Sequence, residues 1–386
     1  MDRLYLDWNA TSPVRPEAVA RLIEVLSTTG NPSSVHAEGR AARAILDTAR
    51  RDVAALVNAK DANVFFTSGG TEAIAMALTR EWSVGGHRRV LARLLAGATE
   101  HAAVLAGGDF GVEARHIVPV GPDGLLDLSA FERDLSASTQ PSMVAVQAAN
   151  NETGVLQPIA EIASLVHAHD GVLVCDAVQA AGKIPLDIEE MGADALILSA
   201  HKIGGPQGTG ALVLRSQATG PAKALIRGGG QEMGRRAGTE AVAAIAAYGV
   251  AANLSLQEME RVPAQMATLR DELESRLLSR LTDATIFGRA APRLPNTSLI
   301  GLDGAPAATL LMALDLSGIA VSSGSACSSG KVKRSHVLDA MNVPRSLAES
   351  AIRVSIGRST IKSDVIRFLE GFETAAKCLY KGALAA

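Results

Sequence analysis

A lysine placed where an apolar strand runs into a glycine turn can serve as a nucleophile, and Lys202 has that setting. The stretch Ala195-Leu-Ile-Leu-Ser-Ala-His-Lys202 passes from four apolar residues to Ser199, His201 and Lys202, and Gly204-Gly-Pro206 breaks it at once. An amine at the rim of a core loses hydration, which disfavours the ammonium form and frees the nitrogen to attack an aldehyde. The plainer alternative is a solvated lysine at a strand end. Gly171-Val-Leu-Val-Cys-Asp176 puts a carboxylate directly beyond another apolar strand, where it is costly without a partner. A protonated pyridine nitrogen is such a partner, so Asp176 and Lys202 together have the composition of a pyridoxal phosphate site. A helix N-cap is the competing reading of Asp176.

Other segments supply the remaining chemistry. Val64-Phe-Phe-Thr67 followed by Ser68-Gly-Gly-Thr-Glu72 reads as strand, glycine turn and helix start, an arrangement that binds phosphate through backbone N–H groups. It lacks the Lys-Ser/Thr ending of a nucleotide loop and the full Gly-x-Gly-x-x-Gly of a dinucleotide site, so a single small phosphate near Thr71 is expected. A capped helix, with Thr71 and Glu72 serving the first turn, is the alternative. Cys327 stands among small polar residues in Ser322-Ser-Gly-Ser-Ala-Cys-Ser-Ser-Gly330, the surroundings of an exposed working thiol. Cys175, between valine and aspartate in a strand, reads as inert core, and Cys378 as a helix packing residue. Three cysteines so far apart offer neither a disulfide framework nor a Cys-x-x-Cys metal knuckle. Arg353 lies among strand residues and needs an anion, either a substrate carboxylate or an ordinary salt-bridge partner. The glycines and arginines of Arg227 to Thr239 suggest a flexible anion-binding loop. His101 and Asn150-Asn-Glu-Thr-Gly154 read by default as a histidine at a helix start and a turn.

These groups need a scaffold. Short apolar strands alternate with helices from Val64 to Leu214, which implies right-handed βαβ units and a mostly parallel sheet covered on both faces. Sites in such sheets lie at the C-terminal strand ends, where Thr71, Asp176 and Lys202 fall. Strands are expected at Val90–Leu95, Met143–Gln147, Val172–Cys175, Ala195–Leu198 and Ala211–Leu214. Helices are expected at Pro16–Leu26, Ala37–Val57 and Pro158–His169, with one long amphipathic helix from Leu256 to Leu277 leading to a second domain. With 386 residues, 47% of them hydrophobic and 20% charged, the chain has the material for two domains of ~150 residues or more. A net charge of -3 and 3% aromatics argue against nucleic acid as a partner. No run approaches the ~18 apolar residues of a membrane span, and the amino terminus has no signal-peptide pattern, so a cytoplasmic location is expected.

The motifs occur in one order: Thr67-Ser-Gly-Gly-Thr-Glu72, Thr99-Glu-His101, Asn150-Asn-Glu-Thr-Gly154, Asp176-Ala-Val-Gln179, Ser199-Ala-His-Lys202, Arg236-Ala-Gly-Thr239, Ser322-Ser-Gly-Ser-Ala-Cys327 and Ile352-Arg-Val-Ser-Ile-Gly-Arg358. From Tyr5-Leu-Asp to the final helix the chain resembles the cysteine desulfurases of the NifS and IscS group. The resemblance implies a homodimeric pyridoxal 5'-phosphate enzyme of the aspartate aminotransferase-like fold (fold type I). Its large domain, residues 14–254, would hold a mostly parallel sheet, and residues 1–13 and 255–386 would form a smaller α+β domain. It implies Lys202 as Schiff-base lysine and proton carrier, Asp176 on the pyridine nitrogen, Gln179 on the ring hydroxyl and His101 stacked on the ring. Gly70, Thr71, Ser199 and His201 would surround the phosphate, with Thr239 reaching it from the other subunit. Asn151, beside the cofactor, and Arg353 would engage the carboxylate of L-cysteine. Cys327 would take the sulfur as a persulfide, leaving alanine, and pass it to an acceptor or iron–sulfur scaffold protein. No resident metal is implied, although Cys327 would be placed to ligate a cluster transiently with such a partner. A selenocysteine lyase or aminotransferase of the same fold, or a non-enzymatic sulfur-carrier scaffold, are the competing readings. Two local departures are Trp8, where a smaller or tyrosine-like residue is expected, and the basic run with Lys331, Lys333 and Arg334, which bears on partner choice.

Overall fold

The computed structural model describes residues 3–324 and 334–379. Seven strands form the central sheet in the order Val64–Thr67, Gly210–Leu214, Ala195–Ser199, Val172–Asp176, Ser142–Gln147, Arg93–Gly97 and Arg115–Val118. Gly210–Leu214 is antiparallel to both of its neighbours, and the other pairings are parallel. The short connection from Ser199 to Gly210 accounts for the exception, since a parallel return needs a crossover of a dozen or more residues. Alternate residues of the inner strands enter two different cores. Val144, Val146, Cys175, Leu196 and Leu198 belong to one, and Met143, Ala145, Val174, Ala195 and Ile197 to the other. A sheet buried on both faces produces the unbroken apolar runs seen in the sequence.

A further core joins distant parts of the chain. Leu4 and Leu6 pack with Leu269 and Leu273 of helix Arg261–Arg280, Ile300 of strand Thr297–Leu302, Val354 of strand Ile352–Ser355, and Phe368 and Phe372 of helix Lys362–Leu379. The two phenylalanine rings lie 5.6 Å apart. Leu4–Tyr5 runs parallel to Ile319–Ala320, which ties the amino-terminal segment to this region.

Two expectations change. In place of a strand over Val90–Leu95 there is a hairpin, Glu81–Val84 with His87–Val90, and then the separate strand Arg93–Gly97. Gly85 and Gly86 form its two-residue loop with φ of 60° and 84°, the left-handed geometry a tight hairpin demands. The long helix expected from Leu256 to Leu277 starts later, as Arg261–Arg280, and Leu256 belongs instead to the end of a preceding helix, Val242–Gln257. Pro263 is tolerated because it sits in the first turn of Arg261–Arg280, where the missing N–H has no intrahelical partner.

Trp8 also finds its explanation. The indole covers Gly357, where a Cβ would lie 1.9 Å from it, and the Arg358 guanidinium stacks 5.2 Å from the ring centre. A large ring at position 8 thus requires glycine at position 357. No described helix is long and apolar enough to cross a membrane, and no described group of three His, Cys, Asp or Glu residues could hold a metal ion.

Candidate active site

A cavity of about 610 Å³ opens beside the C-terminal ends of the central strands. Gln147, Asp176 and Ser199 reach it as the last residues of their strands, and the turn Ala200–Lys202 carries His201 and Lys202 to it. The helix Gly70–Ala77 points its N-terminus there, with Gly70 and Thr71 on the wall. The chain enters that helix through Gly69 at φ 157° and ψ 176°, a conformation essentially restricted to glycine. Glu72 accepts from the Ser68 N–H at 2.8 Å and pairs with Arg236 at 2.9 Å, so it serves the first turn while Thr71 faces the cavity.

Each titratable group is shaped by its surroundings. Lys202 donates to the carbonyls of Asn9 at 2.7 Å and Ala10 at 2.9 Å. Burial, reinforced by the Arg353 charge and opposed by Asp176 and Asp7, lowers its pKa from 10.5 to about 8. Roughly a tenth of it is therefore free amine at pH 7. Asp176 is buried and accepts from the Val178 N–H at 3.0 Å. Burial pushes its pKa up, while that hydrogen bond and the His101 and Lys202 charges pull it back. His201, 3.2 Å from the Thr11 hydroxyl, is lowered to about 4 by burial and by the charges of Lys202 and Lys183, so it is neutral at pH 7. His101 caps the helix Ala102–Leu105, its Nδ1 accepting from the Ala103 N–H at 3.2 Å. A neutral His101 ring must then carry its proton on Nε2.

Arg353 and Asn151 complete the wall. The buried Arg353 donates to Asp7 at 2.6 Å and to the Asn151 carbonyl at 2.9 Å, while its Nε finds no acceptor among the described residues. The salt-bridge reading of Arg353 therefore holds in this state, with one donor left over. Asn151 follows Asn150, whose Oδ1 accepts from the Glu152 and Thr153 N–H groups, each at 2.9 Å. The expected turn thus forms, and it lies at the cavity.

Gly70, Thr71, His101, Asn151, Asp176, Gln179, Ser199, His201, Lys202 and Arg353, far apart in sequence, line this one space. Thr239 does not. It is exposed in a separate cleft beside Thr67 and Arg236, next to Glu240, whose two carboxylate oxygens are buried with no partner among the described residues. Cys327, Lys331 and Lys333 lie outside the described residues. Ser322 and Gly324 line the cavity just before that stretch, and Ser335 just after it bonds Glu152 at 2.5 Å. Arg334 pairs with Asp339. Cys175 is fully buried, and burial pushes its thiol pKa well up, as core chemistry requires. Helix Lys362–Leu379 contains position 378. In the arginine-rich loop two of the arginines are already engaged, Arg235 with the carbonyls of Pro221 and Gln217 and Arg236 with Glu72, while Arg227 is exposed.

Sequence reasoning missed Asp7, Asn9 and Lys183. Asn9 lends one carbonyl to both Lys202 and Gln179, at 2.7 and 3.0 Å. No local pattern marks a backbone oxygen. The spacing of Gln179 and Lys183, four residues apart, was the one available hint.

The model of the aminotransferase class-V family matches residues 4–368. A cysteine desulfurase of Cereibacter sphaeroides is 42% identical over 377 residues, 96% of this chain and 95% of that protein. The X-ray structure of a NifS-like protein from Rickettsia africae superposes with a TM-score of 0.86 at 32% identity, covering 97% of this chain and 99% of that one. A structure of SspA in complex with cysteine gives a TM-score of 0.76 at 25% identity, covering 93% and 100%.

Proposed function

Because the chain belongs to the aminotransferase class-V family, we infer that it is a cysteine desulfurase, using pyridoxal 5'-phosphate to take sulfur from L-cysteine. The observation that carries this reading is the convergence of a partly desolvated amine, a buried carboxylate and a buried arginine on one cavity. The donor set fits the cofactor. Asp176 would meet the ring nitrogen, Gln179 the ring oxygen, and Gly70, Thr71, Ser199 and His201, with the helix N-terminus, the phosphate. When bound, the cofactor supplies an aldehyde carbon for Lys202 and an electron sink for charge left at the substrate Cα.

The chain's own groups do the rest. Arg353 exchanges Asp7 for the substrate carboxylate, beside Asn151. Lys202, with a pKa of about 8, takes and returns the Cα proton, and His101 assists proton transfer through Nε2. The Cys327 thiolate attacks the substrate sulfur; an S–S bond forms as the Cβ–S bond breaks, and the electron pair of the broken bond stays with carbon. One L-cysteine and one thiol thus give one L-alanine and one persulfide, which an acceptor protein then removes. A homodimer is part of this reading. The exclusion of the exposed Thr239 from its own cavity supports a second subunit there.

The test is mass spectrometry after incubation with L-cysteine. One added sulfur should map to the Cys327 peptide in the parent and be missing in Cys327→Ala. Mapping to Cys175 or Cys378 would replace the nucleophile, and release of a keto acid without sulfur transfer would point to an aminotransferase.

A further inference from the structure

Lys183 is an expensive residue to keep. It is buried, and its neighbours in charge are Lys202 on the turn Ala200–Lys202 and Arg353 on strand Ile352–Ser355, both positive. Burial first, and then those two charges, push its pKa well below 10.5. Arg15 and Glu258 line a small space of about 40 Å³ that Lys183 and Lys202 share with Trp8. The Lys183 amine bonds a single residue, Gln179, at the carbonyl oxygen (3.0 Å) and at Oε1 (2.8 Å).

A primary amide has an accepting end and a donating end, and its orientation depends on what meets each. The Lys183 amine donates to the backbone carbonyl and to Oε1 of Gln179, so it meets the oxygen end of the amide. The other end of the amide faces the Asn9 carbonyl at 3.0 Å, and that oxygen only accepts. A flipped Gln179 would set acceptor against acceptor at Asn9 and take away the oxygen to which Lys183 donates. Both contacts therefore select one orientation, and the NH2 group is the end left toward the cavity that Gln179 lines.

We propose that Lys183 is a positioning residue: by holding Gln179 Oε1 it makes Gln179 a pure donor toward the cavity, which selects an ionised ring oxygen on the bound cofactor over a neutral hydroxyl. This rests on the pyridoxal phosphate reading above. A ring hydroxyl would need an acceptor, and Lys183 denies Gln179 that role. The Asn9 carbonyl links the device to the chemistry, because it also accepts from the Lys202 amine at 2.7 Å.

The experiment compares parent, Lys183→Met and Lys183→Arg as holoenzymes at one fixed pH, each checked for folding by its melting curve. The readout is the ratio of the visible band of the ring-ionised cofactor to the near-ultraviolet band of the neutral form. Lys183→Met should lower that ratio about fivefold, the effect of losing one ordinary hydrogen-bond constraint. Lys183→Arg, which still donates and has the neighbouring small space to fill, should restore it. In a Gln179→Leu background, Lys183→Met should change nothing further, because the two residues act as one unit. A parental ratio in Lys183→Met, or an undiminished shift in the Gln179→Leu background, overturns the proposal. A parent with no visible band overturns the cofactor reading itself. Should Lys183→Met not fold, the parent apoprotein labelled with ¹⁵N-glutamine decides. One slowly exchanging pair of Gln179 amide protons, assigned by its loss in Gln179→Leu, supports a fixed amide, and two interconverting sets refute it.

Discussion

The chain buries arginines in two contrasting ways. Arg50 forms a closed unit with Glu232: two nitrogens meet the two carboxylate oxygens at 2.8 Å each, the Val64 carbonyl takes another bond, and the guanidinium lies 4.8 Å from the Phe66 ring centre. Glu232 accepts in addition from the Phe66 N–H at 2.8 Å. Arg353 is as far from water, with side-chain exposure of 4% against 7% for Arg50, but it holds one Asp7 oxygen and one carbonyl and leaves Nε unmatched. A buried donor without an acceptor costs free energy, and natural chains keep such defects mainly where function needs them. The saturated arginine is a brace. The unsaturated one can exchange its partner.

The contrast is testable from the largest effect down. Lys202→Ala should cut desulfuration at least ~10³-fold while the protein stays folded, because it removes the amine and the proton carrier together. Near-parental rates of alanine formation would discard the site. Glu232→Ala should do the reverse, costing about 3–5 kcal/mol in denaturant unfolding by stranding Arg50, with activity per folded molecule little changed. If it instead slowed turnover without destabilising the fold, the brace would have to be counted part of the site.

Proton linkage distinguishes the cavity from the brace in another way. Lys202 sits at about 8 in the fold against an ordinary 10.5, so between these values the unfolded chain binds more protons and stability rises with pH. Below pH 8 the parent apoprotein should carry a penalty of about 3 kcal/mol that Lys202→Met lacks, fading as pH approaches 10.5. Stabilities of the two that run parallel across this window would contradict the buried amine. Arg353→Ala should raise KM for L-cysteine roughly 10- to 100-fold with a smaller change in kcat, since one charge-assisted contact is lost. An unchanged KM would reduce Arg353 to a second brace. The smallest effect belongs to Asp7→Asn, which weakens the competitor for Arg353 and should lower KM by about threefold; a raised KM would mean that Asp7 orients Arg353 more than it occupies it.

Much of this was legible because the central sheet is buried on both faces. Val172–Asp176 and Ala195–Ser199 read as apolar runs ending in polar residues, and those ends are where Asp176 and Lys202 reach the cavity. The hairpin at Glu81–Val90 was missed because His87, Arg88 and Arg89 carry none of the apolar alternation a strand is recognised by, and the outer strand is largely exposed. The long helix was read as starting at Leu256 because Leu256 and Met259 continue the apolar spacing across the junction between Val242–Gln257 and Arg261–Arg280. Thr71, His101 and Arg353 carried ordinary local explanations, and only their assembly distinguishes them. Asn9 and Lys183 act through a backbone carbonyl and a buried amine, whose importance depends on a packing that no window of sequence contains.

The strap from Leu4 to Pro13 has a consequence for when the cavity can exist. Asp7 meets Arg353 across 346 positions, and Asn9 meets Lys202 across 193. During synthesis Lys202 is therefore complete while the strand that holds its cover in place, through Arg353 and Asp7, has yet to be made. Closing so long a loop is slow, because its entropy must be lost before its contacts form. The strap waits for a strand made 346 positions after Asp7, so the reactive amine is enclosed only once Ile352–Ser355 exists, and a product terminated before that strand leaves the amine uncovered and without its arginine.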